Sequence, residues 1–321
     1  MRRCLVALWL FVVGGVAVGA PEQDALFWMD RMASAAQKLN YSGTFSYLSG
    51  KRLEALRIAH VVGPNGEVER LETLDGNPRE VIRNNSEVRC VLPDLKTVII
   101  DRVGKRRAFP ARLPMAVSAL DEYYRISLGD VSRVAGRKAQ LVVLEPKDTL
   151  RYGHQLWADV DSGLLLKARL VGAKGEVIEQ FAFNEIHVGE AVDPSLLEQK
   201  YAVADDWQTV NAKGDEADGE AAAWRLGDVL PGYRLVSSVR RSVGAQGQSV
   251  LHMVLSDGMA NISVFVEPAS AGGASASAGF MEAGSIAVYA RNVGGQRLTV
   301  LGEAPHEALR RVGDGMTVDA Q

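Results

Sequence analysis

The side chains that could catalyse a reaction or hold a metal ion are scattered along this sequence. No two histidines have the spacing of zinc ligands on one element, and there is no pair of closely spaced cysteines. The histidines are His60, His154, His187, His252 and His306. Sequence patterns of phosphate-binding loops, dinucleotide-binding turns and zinc proteases are also absent from the chain. We therefore predict neither a metal site nor a cofactor.

Two short segments are superficially similar to catalytic motifs. GASAS at 273–277 lacks the second glycine of a nucleophile elbow and lies in a low-complexity run. DEYY at 121–124 joins two carboxylates to two tyrosines, but adjacent residues on a helix do not face each other. Catalysis needs a nucleophile, a base and an orienting group together, and no local motif supplies them. We predict a binding protein rather than an enzyme, with a lipid-modifying enzyme as the competing hypothesis.

Apolar residues in strand-like segments indicate a different kind of site. A strongly curved sheet would gather them on its concave face, where part of the surface could accept an acyl chain. The residues that we predict to bind lipid are Phe45, Tyr47, Ile58, Trp157, Leu166, Phe181 and Phe183. The simpler interpretation is that most of them form the hydrophobic core.

Basic residues form a second candidate surface. Four of the nine residues at 102–110 are basic, and three arginines lie on or near a strand at 234–241. Such side chains could dock an acidic peptide or lipid phosphates, although solvated surface is the ordinary alternative. The residues that we predict to bind a partner are Arg106, Arg107, Arg234, Arg240 and Arg241.

A sheet-rich scaffold must position these residues. Residues 24–40 have helical spacing, and short strand-like segments separated by turn signals follow from residue 41 onward. A short helix near 114–124 interrupts them. We predict an α+β fold, in which a curved antiparallel sheet forms an unclosed β-barrel packed with helices. A smaller C-terminal α/β domain follows.

Composition divides the chain into four parts. Two arginines, an apolar run and small residues make 1–20 a signal peptide, with cleavage after Gly19 or Ala20. Residues 203–223 contain six acidic residues, one lysine and few large apolar residues, which is typical of a linker. The predicted domains are therefore 21–202 and 224–321.

The charge balance does not favour nucleic acid as a partner. Without the signal peptide the chain has 34 basic and 39 acidic residues, a net charge of −5. This acidic balance gives no indication of nucleic-acid binding. Cys90 is then the one remaining cysteine, so the exported protein has no internal disulfide.

The segment ERLETLDGNPREV at 69–81 is an unusually polar hairpin, with six charged residues among thirteen. Asp75–Pro78 suits a turn. We predict a solvent-facing part of the barrel wall, whose charged side chains face water or pair across the strands. The proposed pairs join Glu69, Arg70 and Glu72 to Arg79, Glu80 and Arg83.

Several long motifs resemble those of the RseB/MucB family. They are YSGTFSY at 41–47, HVVGPNGEVERLETLDGNPREVIR at 60–83, VAGRKAQLVVLEPKDTLRYGHQLWADVDSGLLLK at 134–167, LPGYRL at 230–235, DGMANISVFVEP at 257–268 and LTVLGEAP at 298–305. Their order spans nearly the whole mature chain. The resemblance is weakest over 203–223 and 269–279.

The resemblance implies a periplasmic negative regulator of the sigma-E envelope stress response. Its N-terminal domain would sense lipid and be similar to the carriers LolA and LolB, and its C-terminal domain would interact with the anti-sigma factor. Such a protein binds the periplasmic domain of a transmembrane anti-sigma factor of the RseA or MucA type and protects it from site-1 proteolysis. Lipopolysaccharide or lipoprotein acyl chains release it. A homo-oligomer is compatible with this role, and the alternative is a periplasmic lipid or lipoprotein carrier of the LolA/LolB type.

Overall fold

A computed structural model describes residues 21–102, 117–227, 230–243, 248–268 and 278–318. The predicted signal peptide and most of the basic loop at 102–110 lie outside the described residues. Within the described part of the chain, no helix is both long enough and apolar enough to cross a membrane.

The N-terminal domain is built on a curved sheet of twelve strands. The strands are Tyr41–Ser49 (β1), Arg52–Gly63 (β2), Gly66–Thr73 (β3), Glu80–Asn84 (β4), Glu87–Leu92 (β5), Thr97–Arg102 (β6), Tyr124–Val134 (β7), Arg137–Pro146 (β8), Gly153–Asp159 (β9), Leu165–Val171 (β10), Val177–Val188 (β11) and Gln208–Asn211 (β12). Their spatial order is β12-β6-β5-β4-β3-β2-β1-β11-β10-β9-β8-β7. Because β12 and β7 are the two edges, the described strands do not close into a barrel, as predicted.

The first strand is the centre of this sheet because it pairs with both β2 and β11. The register with β11 shifts between Thr44 and Phe45. Just before this shift, a Cβ atom at Gly43 would collide with the backbone oxygen of Glu185. Glycine is therefore required where the two backbones approach closely.

A helix at Pro21–Lys38 (α1) covers part of the concave face by packing against β7, β8 and β10. Its buried side includes Ala25, Met29, Met32 and Ala33, at the three- and four-residue spacing of an amphipathic helix. Arg31 fixes the helix by donating to the carbonyls of Val160 and Asp161. The short helix predicted near 114–124 is a 3₁₀ helix at Val117–Glu122.

The C-terminal domain has its own sheet of seven strands and a separate hydrophobic core. Its strands and helices are Asp215–Glu216 (β13), Asp218–Ala221 (α2), Trp224–Leu226 (β14), Arg234–Val243 (β15), Gln248–Ser256 (β16), Asn261–Pro268 (β17), Gly279–Ala283 (β18), Ile286–Val293 (β19), Gln296–Gly302 (β20), His306–Gly315 (α3) and Met316–Val318 (β21). The sheet order is β13-β15-β16-β17-β20-β19-β18, and β14 pairs with β21. Helix α3 buries Ala308, Leu309 and Val312 against β19 and β20. A smaller sheet-and-helix domain is thus confirmed.

The acidic segment at 203–223 contributes to both sheets. Strand β12 pairs in parallel with β6, and β13 pairs with β15. Ala217 and Ala221 are buried in the C-terminal core. The segment is therefore attached at both ends by backbone pairing and packing, which its polar composition does not reveal. The domain boundaries at 202 and 224 stay a prediction.

Candidate functional site

The concave face of the N-terminal sheet is apolar and closely packed at its centre. Phe45, Phe181 and Phe183 form a triad with ring centroids 5.7–6.2 Å apart in edge-to-face contacts. Ile58 and Leu166 are completely buried in the same core. These five predicted lipid-binding residues therefore belong to the core of the domain.

The other two predicted lipid-binding residues are Tyr47 and Trp157, which also contact this core. Tyr47 is partly buried at the border of the core. Trp157 is opposite Leu141 and Lys167 in the strand register, one position out of phase with Leu156, so it projects from the other face of the sheet. The Lys167 ammonium lies 4.5 Å from its ring centroid. Trp157 is thus buried in the same core cluster, although strand pairing directs its side chain to the face opposite that of Leu156.

A small pocket adjoins Tyr47 on the concave side. Glu54 is directly opposite Tyr47 on the neighbouring strand and lines this pocket. The remaining lining residues are Arg52, Asn77, Pro78, Arg79, Leu92, Asp94 and Leu95. The pocket combines two arginines with apolar side chains, but both guanidiniums pair with Glu54, at 2.5 Å from Arg52 and 3.3 Å from Arg79, and Asp94 also lines it. An anionic group attached to an apolar chain would bind here by taking the place of Glu54 at these arginines.

Most charged strand residues of the polar hairpin at 69–81 are buried, which corrects the expectation that they face solvent, whereas the turn from Leu74 to Asn77 is exposed. Glu69, Arg70, Glu72, Glu80 and Arg83 are each between 0% and 8% exposed. The predicted pairing across the strands does occur, because Arg83 donates to Glu69 at 3.1 Å and Arg70 donates to Glu80. Burial requires such pairing, since an unpaired charge in the interior is costly.

One group of these charges lies on the outer face of the hairpin. Arg70 contacts Glu80, donates to Glu72 at 3.2 Å and donates to the carbonyl of Leu196 at 3.2 Å. The backbone nitrogen of Lys200 donates to Glu80 at 3.0 Å, and its ammonium pairs with Glu72. Although burial acts to raise the pKa of Glu72, Lys200 and Arg70 bring it below its ordinary value. The segment after β11 is thus held over the hairpin by ionic contacts.

The other group lies on the opposite, core-facing side of the hairpin. Arg83 donates to Glu67 at 3.2 Å as well as to Glu69. Burial raises the pKa of Glu69, and the Arg83 charge opposes that shift. His60, stacked on Tyr41 with centroids 4.7 Å apart, lies beside these carboxylates. The charged residues of one hairpin therefore form ion pairs on both faces of the barrel wall.

The two domains meet at a buried arginine that the sequence patterns do not identify. Arg151, between β8 and β9, donates to Asp257 at 2.8 Å, and both side chains are fully buried. Its guanidinium is 4.5 Å from the ring centroid of Tyr123 and 5.1 Å from that of Tyr233. It also donates to the carbonyl of Pro231. We call this arrangement the Arg151 contact.

Side chains are exchanged between the two cores around the Arg151 contact. Leu150 belongs to the N-terminal domain by sequence but packs in the C-terminal core, whereas Met259 packs in the N-terminal core. Ser49 and Ser285 are hydrogen-bonded at 2.9 Å in a second contact between the domains. Such interlocking favours one relative orientation of the domains.

The structure distributes the predicted partner-binding arginines over several environments. Arg241 pairs with Asp101 of β6 at 3.1 Å, so it connects the two domains. Arg240 pairs with Glu220 on α2, and Arg234 is exposed at the start of β15. Arg106 and Arg107 lie outside the described residues. The arginines at 234–241 therefore do not form one basic surface.

His154 makes stability depend on pH near the Arg151 contact. Its ring is 5.9 Å from that of Tyr124, and its Nε2 atom has no hydrogen-bond partner. Burial lowers the pKa of His154 from 6.5 to about 4. The unfolded chain therefore binds a proton on acidification before the folded chain does. We expect His154 to reduce stability as pH falls from 6.5 to about 4, by at most about 3 kcal/mol.

A His154→Phe variant isolates this effect. Its free energy of unfolding, measured with urea at pH 7 and pH 5, should change less with pH than that of the unmodified protein, by about 2 kcal/mol. His187→Ala serves as a control because His187 is exposed. Equal pH dependence in the unmodified protein and His154→Phe would contradict this role.

Comparison with known proteins identifies relatives of both domains. A family model of the MucB/RseB N-terminal domain matches residues 24–201, and a model of the MucB/RseB C-terminal domain matches residues 218–317. The sigma factor AlgU regulatory protein MucB of Pseudomonas aeruginosa is 34% identical over 295 residues, covering 90% of this chain and 89% of that protein. The sigma-E factor regulatory protein RseB of Escherichia coli is 26% identical over 308 residues, covering 95% and 93%.

Solved structures extend this similarity to the arrangement of the whole chain. A complex of Pseudomonas aeruginosa MucA and MucB contains a chain that is 30% identical, with a TM-score of 0.73 and coverage of 93% of this chain and 100% of that chain. A crystal structure of MucB in complex with MucA(peri) gives a TM-score of 0.71 at the same identity and coverage.

Proposed function

Since the chain belongs to the MucB/RseB family, we propose that it is a periplasmic negative regulator of a sigma-E-type envelope stress response. It binds the periplasmic domain of a transmembrane anti-sigma factor of the RseA or MucA type. The observation that carries this proposal is the similarity, across both domains, to a MucB chain solved in complex with MucA. The protein acts by binding, without catalysing a reaction. Its signal peptide directs it to the periplasm and is cleaved after Gly19 or Ala20.

In this proposal the bound regulator protects the anti-sigma factor from the site-1 protease. A stress signal must then favour a state of the regulator with lower affinity for the anti-sigma factor. The signal ligand is lipopolysaccharide or the acyl chain of a lipoprotein. The two binding equilibria are linked. The ligand therefore lowers the affinity for the anti-sigma protein as many-fold as the anti-sigma protein lowers the affinity for the ligand.

The concave face offers a physical basis for this lipid response. Its centre is occupied by the aromatic triad of Phe45, Phe181 and Phe183, so an entering acyl chain must displace core side chains. Tyr47 is at the border of that core, next to the pocket with Arg52 and Arg79. We propose that a lipid phosphate or carboxylate replaces Glu54 at these arginines while its chain enters beside Tyr47, with Ile58 and Leu166 deeper along the path.

Partner contacts are proposed on the C-terminal domain and the basic loop. Arg234 is exposed beside the Arg151 contact, and Arg240 is half-exposed beside Glu220. Arg106 and Arg107 would add charge from the N-terminal domain. An acidic segment of the anti-sigma factor would be complementary to these side chains.

Protection of the anti-sigma factor can be measured directly. The purified periplasmic domain of the same organism's anti-sigma factor is incubated with its site-1 protease, with and without this protein. We expect slower cleavage with the protein present, and recovery of cleavage when lipopolysaccharide is added. Equal cleavage rates with and without the protein would contradict the proposed function.

A Tyr47→Asp variant tests the lipid-binding path. We expect at least about tenfold weaker lipopolysaccharide binding, because a carboxylate beside an apolar path is costly to desolvate. Leu53→Asp is the matched control, since Leu53 is 66% exposed and lies near the start of the next strand. Fluorescence titration with labelled lipopolysaccharide measures both. Equal affinities of the two folded variants would remove Tyr47 from the path.

The alternative function is a lipid or lipoprotein carrier. A carrier would bind acyl chains and transfer them between membranes without recognising the anti-sigma factor. Lipid binding combined with unchanged cleavage of the anti-sigma factor would favour that alternative.

A further inference from the structure

A largely buried group of metal-ligand type lies near the turn between β2 and β3. It consists of His60 on β2 with Glu67 and Glu69 on β3, and one ligand atom from each lies within 4.8 Å of the others. In the strand register His60 is directly opposite Glu69, and Glu67 is two residues away on the same face. Among the described residues, this is the one group of three histidine, cysteine or acidic residues with such close ligand atoms.

The histidine ring has the orientation found in metal sites. His60 is fully buried, and its Nδ1 atom is 2.9 Å from the carbonyl oxygen of Leu39. Because a carbonyl oxygen can only accept, Nδ1 carries the hydrogen, and Nε2 is directed at the carboxylates. Nε2 is 3.2 Å from Glu67 Oε1. Metal-binding histidines commonly donate their other ring nitrogen to a backbone carbonyl in this way.

The distances suit a small ion. Two ligands that are each about 2.1 Å from a tetrahedral ion lie about 3.4 Å apart, close to the 3.2 Å between His60 Nε2 and Glu67 Oε1. We propose that His60 Nε2 and one carboxylate oxygen from each of Glu67 and Glu69 bind a divalent transition-metal ion. A mixed imidazole and carboxylate set suits Zn²⁺. Glu67, with 35% of its side chain exposed, gives the ion access from solvent, and water completes the coordination.

Arg83 competes with the ion for the same carboxylates. It donates to Glu67 at 3.2 Å and to Glu69 at 3.1 Å, which neutralises part of their charge in the metal-free protein. A bound ion takes over this role and ties the hairpin to the end of α1 through His60 and Leu39. The ion therefore stabilises the folded chain by mass action, and removal of Arg83 makes that stabilisation larger.

Zinc binding to the metal-free mature protein tests this site. Titrations by calorimetry are made in a Cys90→Ser background, which removes the one thiol of the mature chain. We expect one Zn²⁺ per chain, and Glu67→Gln should lower the affinity at least about tenfold. His187→Ala is the matched control, because His187 is exposed between Glu185 and Glu190 at 3.3 and 3.7 Å. It should keep the same affinity.

An Arg83→Gln variant provides a readout that a merely structural ion pair would not give. Without metal, the Tm of Arg83→Gln should be lower than that of the unmodified protein. Zn²⁺ should raise the Tm of Arg83→Gln by more than it raises the Tm of the unmodified protein. The proposal is overturned if no Zn²⁺ binds, or if Glu67→Gln binds as tightly as the parent. It is also overturned if Zn²⁺ leaves the Tm of Arg83→Gln unchanged.

Discussion

Replacing Arg151 by methionine should lower the free energy of unfolding by about 3–5 kcal/mol. The side chains of Arg151 and Asp257 are both fully buried, so the substitution leaves the Asp257 charge without its partner. The rings of Tyr123 and Tyr233 lose the guanidinium as well. Because these residues join the two domains, we also expect the variant to unfold in urea in two transitions and the unmodified protein in one.

Arg125→Met is the control for this experiment. Arg125 pairs with Glu145 at 3.1 Å, but their side chains are 73% and 58% exposed. An exposed pair of this kind contributes less than about 1 kcal/mol. If Arg151→Met and Arg125→Met unfold at the same urea concentration, the Arg151 contact does not hold the domains together.

Replacing Arg70 by methionine should have the next largest effect, also about 3–5 kcal/mol. The substitution leaves Glu72 and Glu80 buried without the guanidinium between them. It also removes the hydrogen bond to the carbonyl of Leu196. We therefore expect faster hydrogen exchange at the amide of Lys200, which donates to Glu80 in the intact protein.

The double variant Arg70→Met with Glu80→Gln separates charge from packing. Because the substituted glutamine side chain is neutral, this variant should recover part of the lost stability. Lys96→Met is the control, since Lys96 and Asp206 form an ion pair whose side chains are 63% and 60% exposed. A loss in Arg70→Met no greater than that in Lys96→Met would show that the buried ionic contacts do not stabilise the hairpin.

The fold and the family could be predicted because their signals are local or extend over long motifs. Alternation along β1, β2 and β11 places Phe45, Ile58 and Phe183 in one core, as the structure shows. Glycine and proline turns separate short strands, and together they indicate a curved antiparallel sheet. The family resemblance rests on long motifs in both domains, and the domain models and relatives confirm it.

The contacts that could not be predicted depend on pairing between distant segments. Arg151 and Asp257 are 106 residues apart, and each occupies an ordinary turn in the sequence. Both lie within the family motifs at 134–167 and 257–268, which is the one sequence signal that marks them. The apolar character of Trp157 predicts its burial in the core, as the structure shows, but the register of β9 against β8 and β10 sets the direction of its side chain.

The polar hairpin shows the limit of composition as a guide to burial. Its charged residues suggest a solvent-facing wall when they are considered along one strand. Strand pairing instead brings Arg70 to Glu80 and Arg83 to Glu69, and the segment that includes Leu196 covers the outer group. Opposite charges that pair with each other can be buried at a lower free-energy cost than unpaired charges. Which charges pair depends on the strand register rather than on residue type.

The central claim is that this protein binds the periplasmic domain of a transmembrane anti-sigma factor. Isothermal titration calorimetry of the mature protein with the purified periplasmic domain from the same organism tests it most directly. We predict saturable binding with a Kd of about 1 μM or lower. No binding of the folded protein at micromolar concentrations would contradict the account.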